Sequence, residues 1–200
     1  MRRLEEADPL LHAGTIGEPY CRAMRIIAGT HRGRRIAAPK GEHTRPTGDR
    51  VREALFNLVG PVHDASVLDL FAGSGALGLE ALSRGARRCV FAETDAAACR
   101  VIRQNLESLG LTGALVLRRD AVSVLREERT AGRRHELILL DPPYEAWEGL
   151  EPVLAELLPE VVGGDGLVVV ESDARTEPAL PLDLVTARRY GSARLTLFAP

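Results

Sequence analysis

The apolar and polar positions of this chain fall into three textures. Residues 1–23 show no clear period and read as a flexible extension. From Met24 onward, "RIIAG" and "RRIAAP" flank the turn "THRG", which predicts a short β-hairpin. "KGEHTRPTGD" is a loop. "DRVREALFNLVG" sets Val51, Leu55, Leu58 and Val59 on one helical face and stops at Gly60 and Pro61. After that, strand-like and helix-like runs alternate. "SVLDLFA", "RCVFAE", "ALVLR", "HELILLD" and "GLVVVES" read as buried strands. Between them, "ALGLEALSRG", "AAACRVIRQNLESLG", residues 121–130 and "WEGLEPVLAELL" carry helical periodicity. The tail, "LDLVTARRYGSARLTLFAP", predicts two strands joined around Gly191. Alternation at this spacing predicts an α/β fold with a doubly wound, mostly parallel sheet. The chain thus divides into an extension (1–23), a hairpin-and-helix segment (24–61) and a main domain (62–200).

Composition changes this picture little. The chain has 200 residues, 45% hydrophobic and 27% charged, enough to bury one sizeable core. No apolar run is long enough for a membrane span, and the first residues lack the apolar stretch of a signal peptide, so the expected location is cytoplasmic. Cys21, Cys89 and Cys99 are scattered without metal spacing, as are His12, His31, His43, His63 and His135; no metal is expected. No sequence feature calls for an obligate protein partner.

Charge changes it more. The net charge is −2, yet residues 22–52 hold nine basic and two acidic side chains, net +7, which leaves −9 for the rest. A compact arginine-rich block points to a polyanion, and so to nucleic acid. A solvated charged face is the plainer alternative.

The stretch "DLFAGSGALG", residues 69–78, holds the pattern G-x-G-x-x-G after a strand. Such loops commonly hold a dinucleotide, because glycines let the backbone approach a pyrophosphate at a helix N-terminus. Here the strand ends carry acids instead: Asp69, Glu93, Asp120 and Asp141. That edge repels phosphate and welcomes a cation. S-adenosylmethionine brings an ammonium and a sulfonium and no phosphate, so it fits better. Glu93 suits ribose hydroxyls, Asp69 the methionine end, and Asp120 the adenine amino group. Asp95 reads as a helix cap, and Asp120 equally as a cap or a ligand.

"LILLDPPYE", residues 137–145, is the most specific signal. Two prolines after a buried strand stiffen the backbone where a ligand would lie. The Asp141 carboxylate and the Pro142 carbonyl can accept both hydrogens of an exocyclic amine on a nucleobase, and Tyr144 can stack on the base. A base within a duplex could not reach such a site, so the target must be unpaired or flipped.

Taken together, "MRIIAG", "RPTGDRVREALFNLV", "DLFAGSGALGLEALSRGA", "FAETD" and "DPPY" resemble the bacterial 16S rRNA guanine-N2 methyltransferases of the RsmD type, over residues 24–198. The resemblance implies a seven-stranded, Rossmann-like class I methyltransferase sheet with a small N-terminal hairpin extension. It implies methyl transfer from S-adenosylmethionine to a guanine N2 in the 16S rRNA of the 30S subunit. Cofactor positions would be Asp69, Phe71, Ala72, Gly73, Gly75, Glu93, Thr94, Asp120, Ala121 and Asp141; the catalytic motif would be Asp141, Pro142, Pro143 and Tyr144. Candidates for substrate RNA are Arg32, Arg34, Arg35, Thr44, Arg45, Pro46, Thr47 and Arg50. Arg50 and Arg52 have an alternative as structural partners of neighbours such as Glu53. An adenine-N6 methyltransferase, a dinucleotide-dependent oxidoreductase and a non-catalytic RNA-binding module are the rivals.

Overall fold

The structure, a computed structural model, describes residues 24–39 and 48–200. The expectations for residues 1–23 and for Thr44, Arg45, Pro46 and Thr47 lie outside the described residues.

Strands β1 (Met24–Arg25) and β2 (Arg35–Ile36) form the expected antiparallel hairpin. Each strand is only two residues long, although the pairing continues through Ile26, whose N–H donates to the Arg34 carbonyl. Helix α1 (Asp49–Val59) follows. Then come β3 (Ser66–Leu70), α2 (Ala76–Ser83), β4 (Arg88–Glu93), α3 (Ala96–Leu109), β5 (Ala114–Arg118), α4 (Ala121–Thr130) and β6 (His135–Leu140). A single 3-10 turn (Tyr144–Ala146) leads into α5 (Trp147–Val161), β7 (Val162–Asp173), β8 (Asp183–Tyr190) and β9 (Ala193–Ala199). Seven strands form one sheet in the order β5-β4-β3-β6-β7-β9-β8. The pairs from β5 through β7 are parallel; β9 runs antiparallel to both β7 and β8.

Each face of the sheet is covered. On one side Leu55, Phe56, Leu79, Ile102 and Val67 pack into one core; on the other Leu68, Leu70, Val124, Leu154 and Val168 pack into a second. Strand alternation explains the split, since successive side chains of β3 point to opposite faces. Asp69 therefore shares a face with Val67 and sits beneath α2.

Three elements differ from the sequence reading. Helix α1 buries Arg52, Leu55 and Phe56, while Val51, Leu58 and Val59 are only half-buried. The apolar stripe is displaced because Arg52 finds carboxylates inside. Helix α5 runs three residues beyond "WEGLEPVLAELL" and keeps Pro152 and Pro159 within it. Two interior prolines cost about 6 kcal/mol in helical terms. Burying Leu154, Leu157, Leu158 and Val161 completely returns about 6–12 kcal/mol. Strand β7 begins four residues before "GLVVVES", because Val162 pairs with His135 ahead of a register shift. No helix among the described residues is long and apolar enough to cross a membrane.

Candidate active site

The chain builds outward from β3 to β5 and then returns to β6, so the order of strands reverses between β3 and β6. The crevice beyond the carboxyl ends of those two strands is where an open α/β sheet binds ligands. Leu70 and Leu140 stand in register there, which places the glycine loop beside Asp141.

The loop after β3 turns on three left-handed residues: Phe71 (φ 63°), Gly73 (φ 55°) and Gly75 (φ 78°). A non-glycine residue in that region is uncommon and is held here by its surroundings. The Ala72 N–H donates to the Ala92 carbonyl at 3.0 Å, and the Gly75 N–H to the Ala72 carbonyl at 2.7 Å. Gly73 donates to Glu93 Oε2 at 2.7 Å, so the acid at the tip of β4 ties down the loop. Glu93 Oε1 also accepts from the Asp95 N–H at 2.8 Å. The exposed Thr94 hydroxyl reaches Glu93 Oε1 at 3.4 Å. The third glycine does something different. A Cβ on Gly78 would lie 2.3 Å from the Phe91 ring and 2.6 Å from the Cys89 sulfur. Gly78 therefore lets α2 press onto β4, and its N–H donates to Asp69 Oδ2 at 2.9 Å.

Asp69 is fully buried. Burial drives its pKa to about 8, opposed by the Gly78 hydrogen bond and reinforced by the negative charges of Asp141 and Glu93. Three carboxylates thus share one edge, with the innermost too poorly solvated to ionise easily. That edge favours a cation. Among the described residues no group of acids, cysteines and histidines is arranged to hold a metal ion.

Beyond β6, Asp141 is half-buried, Pro142 buried, Pro143 exposed and Tyr144 half-buried. Pro143 is the N-cap of the 3-10 turn, its carbonyl accepting from the Ala146 N–H at 2.9 Å. Buried Trp147 then anchors the segment in the core. The diproline spans the gap between strand and helix without a free hinge.

Asp95 caps α3, accepting from Ala97 and Ala98 N–H at 3.1 and 3.0 Å. Asp120 caps α4 through the Ser123 N–H at 2.9 Å. Ala121, the first residue of α4, is buried, Ala72 is buried, and Phe71 is half-buried against the second core. Arg50 is exposed in the first turn of α1. Arg32 and Arg34 stand at the hairpin tip, which docks at the far end of α2 through the Thr30 N–H to Ser83 carbonyl bond, whereas Arg35 pairs with Arg25 toward the hairpin's open end.

Buried Glu80 escaped the sequence reading, and Arg52 takes its structural alternative with Glu80 and Asp49 in place of Glu53. Glu80 has no exposed surface and accepts from Ile27 N–H, Ala28 N–H and Arg84 Nε at 2.7, 2.9 and 2.8 Å. Arg52, equally buried, lies 3.8 Å from Glu80 and bonds Asp49 and the Arg25 carbonyl. Burial pulls its pKa down against the pull of Glu80 and Asp49. A lone acid in the apolar helix "ALGLEALS" was the available signal. Asn105, buried on α3, also holds the hairpin by bonding both N–H and carbonyl of Ala37.

A second constellation has catalytic partners but no access. Ser66 Oγ lies 3.0 Å from His135 Nδ1, and His135 Nε2 lies 2.9 Å from Glu128. All three are buried at the opposite edge of the sheet, where burial holds His135 below its usual pKa. This chain pins strand ends together.

Known proteins share this fold. A family profile described as "Conserved hypothetical protein 95" matches residues 24–199. "Putative rRNA methyltransferase YlbH" of Bacillus subtilis (strain 168) is 41% identical over 182 residues, 88% of this chain and 98% of that protein. "Ribosomal RNA small subunit methyltransferase D" of Escherichia coli (strain K12) is 42% identical over 161 residues, 79% of this chain and 78% of its own. The solved structure "Putative methyltransferase yhhF from Escherichia coli" superposes with a TM-score of 0.75 at 36% identity, covering 88% of this chain and 97% of that one.

Proposed function

Because the chain belongs to the conserved hypothetical protein 95 family, to which the D-type small-subunit rRNA methyltransferases belong, we propose that it methylates the exocyclic N2 of one guanine in the 16S rRNA of the 30S subunit. The methyl donor is S-adenosylmethionine. The observation that carries this reading is the meeting of Asp69, Glu93 and Asp141 with the rigid "DPPY" segment at one strand-order reversal. A cytoplasmic reaction on ribosomal particles follows from that substrate, with residues 62–200 as the catalytic domain and residues 24–61 on the RNA side.

The donor supplies a methyl group on a positively charged sulfur, which leaves as a neutral thioether. The protein's part is to bind and orient. Glu93, already fixed by Gly73 and Asp95, has lone pairs left for ribose hydroxyls. Asp141 and Glu93 set a negative potential that favours the donor's cationic end. An amine on a base is a weak nucleophile, because its lone pair is shared with the ring. Asp141 and the Pro142 carbonyl would accept its two hydrogens and aim the nitrogen lone pair out of the ring plane. As the nitrogen gains the methyl it gains positive charge, which Asp141 stabilises before a proton leaves for the carboxylate or water. Tyr144 offers a face for stacking, worth about 1–3 kcal/mol.

The test is tritiated methyl transfer to 30S particles, naked 16S rRNA and duplex DNA, followed by mapping of the modified nucleotide. Label on a guanine N2 of 16S rRNA is expected. Label on DNA alone, or on adenine, would transfer the assignment to another amino-methyltransferase.

A further inference from the structure

We propose that the tip of the β1–β2 hairpin and the adjoining α2–β4 turn form an rRNA docking surface separate from the methyl-transfer site. This rests on the rRNA reading above, but on different residues.

The hairpin lies lengthwise along α2. Its open end is level with the glycine loop: Ser74 Oγ is 4.0 Å from the Met24 sulfur, and Asn105 bonds Ala37 and the Ser74 carbonyl. Its tip is level with the last turn of α2. Thr30 N–H donates to the Ser83 carbonyl at 2.8 Å, His31 N–H to Ser83 Oγ at 3.0 Å, and Ser83 Oγ to the Ala28 carbonyl at 2.7 Å. Gly29 approaches so closely that a Cβ there would lie 1.8 Å from the Ser83 carbonyl oxygen. Because α2 is antiparallel to the strands and eight residues long, the tip sits about 12 Å below the catalytic edge.

Three turns converge at that corner. Arg34 donates to the Ser108 carbonyl at the end of α3, and a Cβ on Gly113 would lie 2.4 Å from the Arg87 carbonyl oxygen. Arg32, Arg34 and Arg87 are all exposed there. No carboxylate among the described residues pairs with Arg32 or Arg87. Glu80 offsets the two inner arginines, Arg52 and Arg84. The neighbouring acids are Glu107, beside Ser108, and Asp64, which faces His63 at 3.0 Å. The corner is therefore positive, and its arginines stand on backbone fixed at both ends, which keeps the ordering cost of binding low. Guanidinium forks match phosphate. A long folded RNA can reach this corner while its target base occupies the strand tips; a short strand in the site cannot.

The experiment compares the full chain with Arg32→Ala/Arg87→Ala, neither of which removes a side-chain bond among the described residues. Affinity for naked 16S rRNA is measured across a salt series, beside affinity for a short single-stranded oligonucleotide, with S-adenosylhomocysteine affinity as the check of folding. On 16S rRNA we expect about tenfold weaker binding, and a slope of log affinity against log salt smaller by about 2. The oligonucleotide should bind both proteins alike. Unchanged 16S rRNA affinity would show a merely solvated face. An equal loss on the oligonucleotide would place these arginines at the catalytic edge. A loss on 30S particles but not on naked RNA would make the partner a ribosomal protein; each overturns the proposal. If the unaltered protein labels no RNA, the methyl-transfer reading fails on its own, and the salt slopes still decide this one.

Discussion

Asp141 and Asp69 are one pleat and one strand apart, yet burial gives them different work. Asp141, half-buried at the mouth of the crevice, is placed to accept hydrogens from an amine. Replacing it with alanine should cut methyl transfer by about 10²–10³-fold, the usual cost of losing one preorganised charge partner, while S-adenosylhomocysteine still binds by calorimetry. Asp69 is sealed, with its pKa near 8. Its folded form holds a proton more tightly than the unfolded chain does. That stabilisation is whole below the ordinary carboxyl value near 4 and is lost as pH rises to about 8. Thermal midpoints should therefore rise by about 5 °C between pH 8 and pH 6, and Asp69→Asn should flatten the change. A cationic ligand favours the ionised form. Binding of S-adenosylmethionine near pH 7 should thus release protons, seen as a binding heat that depends on the buffer; identical heats in two buffers would rule this out. The sequence disclosed both carboxylates. It could not disclose which one would be dry.

At the scale of elements, α2 joins everything. Its first turn carries Gly78 against Phe91 and Cys89, and its middle carries Glu80 under the hairpin. Alanine is normally preferred to glycine inside a helix by about 1 kcal/mol. Here Gly78→Ala should instead destabilise by about 1–3 kcal/mol in urea, because the added methyl overlaps a ring and a sulfur. Phe91→Leu should relieve part of it; a more stable Gly78→Ala protein would contradict the close packing. The strand and helix spans were legible because apolar periods of two and near four residues follow from side-chain direction. The stripe on α1 was misread at Arg52, since a hydropathy pattern treats every arginine as a surface residue.

At the scale of the molecule, a buried carboxylate and a buried guanidinium join the N-terminal segment to the main domain. Removing one partner of such a pair leaves an uncompensated charge, at a cost of about 3–5 kcal/mol. Glu80→Gln should therefore loosen residues 24–39 and α1 first. Hydrogen exchange should quicken there while β3, β4 and β6 stay protected. Exchanging both partners, Glu80→Met with Arg52→Met, should recover much of the loss. Uniform loss of protection would mean that the segment and the sheet unfold as one unit.

The alternation of strands and helices, the glycine loop and the diproline were properties of the sequence alone. They depend on local chemistry: side-chain period, backbone freedom at glycine, and the ring of proline. Tertiary structure decided the rest. It chose which acid would lose its water and which arginine would go inside. It also turned the third glycine from a ligand signal into a packing contact, and set the hairpin tip with Arg32 at the far end of α2. Those outcomes depend on residues brought together from distant parts of the chain, and no local pattern records a distance across a fold.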